Sequence, residues 1–256
     1  MLKWRTFLIL SAMNHKNRKD VYKRSLGNRR SARRYILYVE GENTEDSYFK
    51  LLKKANCKIV PVIIRGHGIS HCVDFVNESE NHWNSMPKER RNEYDRRWLV
   101  FDADGRTDFS EGIKLARKKG FGVAFSNMCI EYWFLLHFCD HDGRPLPMIQ
   151  NSHSAAQIRE INRFIKQYNR NAVVPVGDYD SKSKTIADDF FDLMMADDPV
   201  VKKSRIVSAC ERAKSIHEIK KANGSEFSES VTTIYELLIE LGVIEETKDG
   251  FRLYRK

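Results

Sequence analysis

The hydrophobic pattern in the first half of the chain alternates between two periods. Short, nearly continuous apolar runs rich in β-branched and aromatic residues predict buried strands. These runs cover residues 35–39, 58–64, 97–101 and 122–125. Between them, apolar residues recur at helical spacing over residues 44–52, 70–85 and 109–119. Strands that alternate with helices predict an α/β fold with a parallel sheet, and Pro61 inside the second run predicts an edge strand or an irregular one.

The pattern after Glu131 is mainly helical. Candidate helices cover residues 131–138, 155–168, 185–195, 200–222 and 228–241. We therefore predict three parts: a flexible basic arm at residues 1–34, an α/β core at 35–138, and a helical C-terminal region at 139–256 packed on the core.

The positive charge of the chain is concentrated at its start. The net charge is +9, and residues 1–34 hold eleven of the 44 Lys and Arg residues but only one acid, Asp20, of the 35. The rest of the chain is therefore close to neutral. Such an arm either binds phosphate polymers by releasing their counterions or is a solvated leader without a partner. We expect nucleic acid, DNA or RNA, as a partner of the arm and of the core.

Cysteine usage and hydropathy indicate a reduced, cytoplasmic protein. The five cysteines are scattered, with no CxxC pair, which argues against a disulfide framework and a structural zinc site. No apolar run reaches the roughly 20 residues that cross a bilayer, so we expect no membrane partner. Residues 4–12 faintly resemble a signal peptide, but a basic run follows them, and we favour translation starting at Met13.

Three acids follow the ends of two predicted strands. Glu40 follows the first strand, and Asp102 and Asp104 follow the third. Because the carboxyl ends of parallel strands share one edge of a sheet, these side chains would meet in one crevice. Crowded carboxylates are tolerated mainly around a cation, and oxygen donors favour Mg²⁺ or Mn²⁺. The alternative is that these acids only start turns, where Asp and Gly are common.

Three segments of the chain resemble the RloB-like family of bacterial proteins. They are residues 38–49, with Glu40-Gly41-Glu42; residues 100–104, with Asp102-Ala103-Asp104; and residues 126–138, with Glu131-Tyr132-Trp133. The resemblance spans about residues 33–245. The family is encoded near restriction and other defence systems, often with an AAA-type ATPase, so such an ATPase is an expected partner. Its fold looks like a variant of the Toprim fold of topoisomerases, primases and OLD-type nucleases.

The resemblance implies roles for the three acids. Glu40 would take the place of the Toprim glutamate, which acts as general acid or base and can contact metal. Asp102 and Asp104 would be the metal ligands. This chain departs from the family at Met128, where proline is more frequent, and in its short polar loop at residues 105–108. We expect neither departure to involve the three acids.

Further residues are secondary candidates for the site. Glu131 opens a helix after the fourth strand, on the edge of the proposed site, and we expect it to be functional. Glu45 is either a further carboxylate of the site or a helix-start acid. Asn127 either orients a phosphate or a neighbouring carboxylate, or caps the next helix. Lys182 and Lys184, beside Tyr179, either contact phosphate or lie in an exposed loop. In contrast, His137 lies in an apolar stretch and is expected in the core.

These observations predict a Mg²⁺- or Mn²⁺-dependent phosphodiesterase that cleaves nucleic acid in a bacterial antiviral system of the abortive-infection type. Its catalytic residues would be Glu40, Asp102, Asp104 and Glu131. The alternative is a non-catalytic module that keeps the fold and binds nucleic acid or an ATPase. Nucleotidyl transfer is a third hypothesis, but the chain has no GxxxxGK[ST] phosphate loop.

Overall fold

The computed structural model describes residues 33–40, 44–55, 59–63, 71–149, 152, 154–180 and 185–254. Residues 34–256 form one compact unit. The predicted basic arm lies outside the described residues except for Arg33 and Arg34. The predicted boundary between an α/β core and a helical C-terminal region stays a prediction.

The central feature of this unit is a five-stranded sheet. Its strands are β1 (Tyr35–Val39), β2 (Ile59–Ile63), β3 (Arg96–Asp102), β4 (Gly122–Asn127) and β7 (Val231–Thr232), and they lie in the order β2-β1-β3-β4-β7. The first four are parallel, and β7 pairs antiparallel with β4. The predicted α/β fold with a mostly parallel sheet is confirmed. Pro61 lies in the edge strand β2, because an edge strand does not need the ladder hydrogen bond that proline cannot donate.

Helices precede, connect and follow these strands. They are α1 (Thr44–Ala55), α2 (Cys72–Ser85), α3 (Lys88–Arg91), α4 (Phe109–Lys118), α5 (Ile130–Leu135), α6 (Ala155–Asn169), α7 (Asp188–Met195), α8 (Arg205–Ala222) and α9 (Ile234–Glu240). Two short hairpins accompany them. One pairs β5 (Asp197–Asp198) with β6 (Lys203–Ser204), and the other pairs β8 (Ile244–Thr247) with β9 (Gly250–Leu253).

Both faces of β1 are buried, which explains why this strand is apolar throughout. In β1, Tyr35, Leu37 and Val39 belong to one hydrophobic cluster, and Ile36 and Tyr38 belong to another. The first cluster continues into the described helices α1 and α5 to α9, and the second into α2 and α4. Alternate residues of a strand point to opposite faces, so a strand covered on both sides loses the polar alternation of a half-exposed one.

The C-terminal part is mainly helical, as predicted, but the helix predicted at residues 228–241 is wrong in its first half. Val231 and Thr232 form the antiparallel strand β7, and the helix begins only at Ile234. The Thr233 hydroxyl accepts a hydrogen bond from the Phe125 amide at 3.0 Å. The Thr232 hydroxyl lies 2.9 Å from the Ser126 hydroxyl. Consecutive β-branched residues favour a strand, and this tertiary pairing decides the outcome.

The helix predicted at residues 200–222 begins later, at Arg205. Val200 and Val201 instead lie exposed between the strands of the β5–β6 hairpin. The Asp198 carboxylate accepts hydrogen bonds from their backbone amides at 2.9 and 3.1 Å. Asp side chains compete for local backbone donors in this way and favour a turn over a helix. The helices predicted at 185–195 and 131–138 also differ, because the observed ones cover Asp188–Met195 and Ile130–Leu135.

The lengths of the helices and the state of the cysteines bear on the expectations of no membrane span and no disulfide framework. Across the described part of the chain, the helices are all too short or too polar to cross a bilayer. Cys72, Cys129, Cys139 and Cys210 form no disulfide bond with one another. Cys57 lies outside the described residues.

Candidate active site

The sheet brings the strand-end acids to one edge. Val39 at the end of β1 pairs with Val100 of β3, so Glu40 and Asp102 leave neighbouring parallel strands at the same side. Asp102 itself pairs with Ser126 of β4. Beyond the strand, the Asp104 amide donates a 2.9 Å hydrogen bond to the Met128 carbonyl. The exits of the three central strands therefore form one surface.

Asp102 is a buried carboxyl with only one of its oxygens satisfied. It is 8% exposed, and its Oδ2 accepts a 2.9 Å hydrogen bond from the Ile130 amide at the start of α5. Its Oδ1 is also buried and has no hydrogen-bond partner among the described residues. Burial raises the pKa of Asp102 well above its ordinary value, and the negative charges of Glu45 and Asp104 act in the same direction. An unsatisfied buried acceptor is costly unless something else binds it.

Asp104 is held in a strained turn directly after Asp102. Its φ of 44° lies in the left-handed region, and Gly105 follows with φ of 72°. A non-glycine residue adopts this conformation at a cost that surrounding structure must offset. Here the hydrogen bond from the Asp104 amide to Met128 and one from the Arg106 amide to the Ala103 carbonyl, at 2.7 Å, hold the turn.

Two further acids approach this pair from helices. Glu131, in the first turn of α5, is 6% exposed and accepts a 3.0 Å hydrogen bond from the Tyr179 hydroxyl. Glu45 lies in the first turn of α1 and is partly buried. Burial raises the pKa of Glu45 to about 7, and the charges of Glu131, Asp104 and Glu40 contribute to this rise. Burial likewise raises the pKa of Glu131, with a contribution from Asp104. Five carboxyl groups thus share one electrostatic environment.

Glu40 is bound by a residue that the sequence analysis set apart from the site. Arg106 Nη1 donates a 2.6 Å hydrogen bond to Glu40 Oε2, and both side chains are largely buried. Burial raises the pKa of Glu40, whereas the arginine opposes that rise. The expectation that the loop at residues 105–108 and Met128 do not involve the acids is therefore wrong. The loop supplies the partner of Glu40, and the Met128 carbonyl holds Asp104.

The donor chemistry of this cluster fits a hard divalent cation. All five groups offer carboxylate oxygens, which Mg²⁺ and Mn²⁺ prefer, and Asp102 keeps a buried oxygen without a partner. Nevertheless, within the described ranges no three Asp, Glu, His or Cys side chains already form a close cage around a common point. Asp102 is the acid best placed to receive such an ion, because its buried Oδ1 has no hydrogen-bond partner among the described residues, whereas Arg106 pairs with Glu40 and Tyr179 with Glu131.

The other predicted residues have different positions. Asn127 is buried at the end of β4 and donates a 2.7 Å hydrogen bond to the Phe227 carbonyl, so its amide joins two segments and does not cap a helix. His137 is buried, as predicted, and its Nδ1 lies 3.0 Å from the Trp133 carbonyl. Burial lowers the pKa of His137 to about 3, so it stays neutral. Lys182 and Lys184 lie outside the described residues.

Arg106, Tyr179 and Asn162 are the site residues that sequence reasoning missed or left aside. Asn162 of α6 accepts from the Tyr179 amide at 2.7 Å and donates to the Tyr179 carbonyl at 2.9 Å. This pair of hydrogen bonds fixes the segment whose tyrosine reaches Glu131. Arg106, four positions after Asp102 in a polar loop, could have been considered from proximity alone. No local pattern in the sequence links Tyr179 to an acid 48 residues earlier.

Comparison with known proteins identifies the family of this chain. No curated protein and no solved structure matches it. The family model described as RloB-like protein matches residues 35–241, a range that contains all five carboxyl groups and Tyr179. The match covers most of the chain, and the chain therefore belongs to the RloB-like family.

Proposed function

We propose that the protein is a metal-dependent phosphodiesterase that cleaves nucleic acid in a bacterial antiviral defence system. The observation that supports this most directly is Asp102, which is buried among like charges with one oxygen held by Ile130 and the other without a described partner. Proteins rarely keep such an arrangement for stability, because isolated buried acids cost free energy. We further propose a Toprim-like fold, a cytoplasmic location and an AAA-type ATPase partner, as the family resemblance implies.

Mg²⁺ or Mn²⁺ is the ion that we propose for the site. Asp102 would hold it, with Asp104 and Glu40 as the further carboxylates that the family resemblance implies. When bound, such an ion polarises a phosphoryl oxygen and stabilises the leaving oxygen of an in-line displacement.

The chain itself would supply proton transfer and orientation. Glu45, with a pKa of about 7, can take up or release a proton near neutral pH. Glu40 is the residue that the resemblance favours as general acid or base, and Arg106 holds its carboxylate in place. The Tyr179 hydroxyl orients Glu131 by donating to its Oε1. Nearby carboxyls in unequal environments are typical of sites that separate acid and base roles.

The test is cleavage of labelled DNA and RNA by the full chain with Mg²⁺ or Mn²⁺. We expect metal-dependent products from the wild type and a loss of at least about a hundredfold in Asp102→Asn and in Glu40→Gln. The matched control is Asp142→Asn, which alters an exposed acid outside the cluster and should cleave normally. Full activity in the Asp102→Asn, Glu40→Gln double variant would remove these acids from the mechanism.

A second candidate function is a non-catalytic module that binds nucleic acid or an ATPase. The absence of a preformed three-ligand cage among the described side chains favours it. Thermal unfolding with added Mn²⁺ distinguishes the two, because an ion that binds the folded state raises the midpoint in a concentration-dependent manner. An increase that Asp102→Asn abolishes supports the enzyme, whereas an unchanged midpoint supports the module.

A further inference from the structure

Helix α6 has two faces of opposite character. Its buried face contributes Ile161 and Ile165 to the large hydrophobic cluster, so the helix is firmly anchored. The opposite face, continued by the C-cap residue Arg170, carries four exposed cations at spacings of four, three and four residues. At 3.6 residues per turn these positions fall within an arc of roughly 60° and span roughly 16 Å along the axis. We call this surface the basic ridge: Arg159, Arg163, Lys166 and Arg170.

The basic ridge is only partly neutralised. Glu160 lies 3.4 Å from Arg159 and 3.4 Å from Arg163, whose side chains remain 60% and 79% exposed. Lys166 and Arg170 make no ion pair within the described part of the chain. Surface ion pairs of this kind contribute little, so most of the charge of the ridge is available to an external anion.

Three basic side chains of helix α8 are, in contrast, paired with acids. Arg205 contacts Asp198 at 3.4 Å, and Arg212 contacts Asp140 at 2.6 Å. Lys214 pairs with Glu246. These bases connect segments within the protein and leave little charge for a partner. The basic ridge differs because its cations project away from the fold and lack such long-range internal partners among the described residues.

The ridge is connected to the candidate active site through one residue of the same helix. Asn162 of α6 holds the backbone of Tyr179 by two hydrogen bonds, of 2.7 and 2.9 Å. Tyr179 in turn donates to Glu131 at 3.0 Å. A polymer that lies along the outer face of α6 would therefore rest on the element that supports the acidic cluster.

We propose that the basic ridge binds the sugar-phosphate backbone of the nucleic acid. This inference rests on the proposed function and deepens it, because it assigns a structured surface to the polymer. Evenly spaced cations on flexible side chains match the repeating phosphates of a nucleic acid. Such contacts bind through counterion release and do not recognise the base sequence. Between the four cations the outward side chains are polar, as at Gln167, whereas protein interfaces need apolar or aromatic anchors at their centre.

The experiment measures binding of the full chain to labelled single-stranded and double-stranded oligonucleotides in EDTA, from about 50 to about 300 mM salt. The test variant is Lys166→Gln with Arg170→Gln. The matched control is Lys114→Gln with Lys118→Gln, which removes two exposed lysines from one face of α4. Glutamine keeps helix propensity close to that of lysine and arginine, so both variants should fold.

We expect the ridge variant to bind at least about tenfold more weakly at about 100 mM salt. The slope of log K against log salt should decrease by about 1.4 to 1.8, which corresponds to two lost phosphate contacts. The control should retain the wild-type slope. Equal losses in both variants would overturn the proposal, because they would indicate only net charge. Unchanged binding of the ridge variant, or a wild type that binds no oligonucleotide, would also overturn it.

Two further arms separate this proposal from its alternatives. Polyglutamate serves as an acidic-protein probe, and ridge-dependent binding of polyglutamate with ridge-independent binding of oligonucleotide would overturn the proposal in favour of a protein partner. Cleavage is assayed separately with Mn²⁺. A wild type that binds through the ridge but does not cleave supports the ridge and contradicts the proposed phosphodiesterase.

Discussion

Arg106 Nη1 donates a 2.6 Å hydrogen bond to Oε2 of Glu40, and the pair is largely shielded from water. It joins the residue after β1 to the loop that follows Asp104. The arginine thus supplies the positive charge nearest to Glu40 in a group of five acids. This ion pair therefore influences the protonation state of Glu40 and the orientation of its carboxylate.

Replacing Arg106 by Gln should lower the cleavage rate by about tenfold and shift its pH profile to higher pH. Arg106 opposes the rise in the pKa of Glu40, so removing it raises that pKa further. A base must be deprotonated to act, and the acidic limb of the profile should therefore move upward. Arg106→Lys, which keeps the charge, should retain more activity than Arg106→Gln. An identical pH profile in both variants would separate Arg106 from the titration of Glu40.

Replacing Asp102 by Asn should stabilise the metal-free protein while it abolishes activity. The carboxyl is buried among acids and its pKa is raised, so its ionisation at higher pH costs folding free energy. Asparagine can still accept from the Ile130 amide. We expect a gain of roughly 1–3 kcal/mol in the free energy of unfolding at pH 8 and a smaller gain at pH 5. Urea denaturation in EDTA measures both values, and destabilisation at pH 8 would contradict the prediction.

Replacing Tyr179 by Phe should impair the site more than the fold. The change removes the donor to Glu131, so the pKa of Glu131 should rise further and the orientation of its carboxylate should loosen. We expect about tenfold slower cleavage and a stability loss of about 1 kcal/mol. Cleavage rate and urea denaturation are compared with those of Tyr132→Phe. Tyr132 contacts His141 at 3.0 Å, and its loss should affect stability alone. Equal cleavage by the two variants would assign Tyr179 a structural role only.

His137 should make the stability of the protein dependent on pH below about 6.5. Burial lowers its pKa from the ordinary value of 6.5 to about 3. Between these two pH values the histidine is protonated in the unfolded chain but neutral in the folded state. Its contribution is present above pH 6.5 and is lost as pH falls toward 3, by up to about 1.4 kcal/mol per pH unit. His137→Leu should reduce the slope between pH 6.5 and 5, measured by urea denaturation. A slope equal to that of the wild type would show that this histidine is not the group involved.

Much of the α/β core could be predicted from local pattern because its strands are buried on both faces. Residues 35–39 and 97–101 are apolar at nearly every position, and the observed strands are Tyr35–Val39 and Arg96–Asp102. The secondary-structure predictions that were wrong lie where pairing with a distant segment overrides a helical pattern. Val231 and Thr232 form a strand because they pair with the edge of β4. The residues of β4 lie about a hundred positions earlier in the chain, so a local pattern does not contain this pairing.

The acids at the strand ends could be found from local sequence alone, since their placement after apolar runs depends only on neighbouring residues. Glu40, Asp102 and Asp104 could be selected in this way, and Glu131 could be selected as a helix-start acid on the same edge. The partner of each acid is defined by the folded chain: Arg106 for Glu40, the Ile130 amide for Asp102, and Tyr179 for Glu131. The physical reason is that strand and helix formation follows from local spacing, whereas a pKa, an ion pair or an unsatisfied oxygen depends on distances that only the packed chain defines.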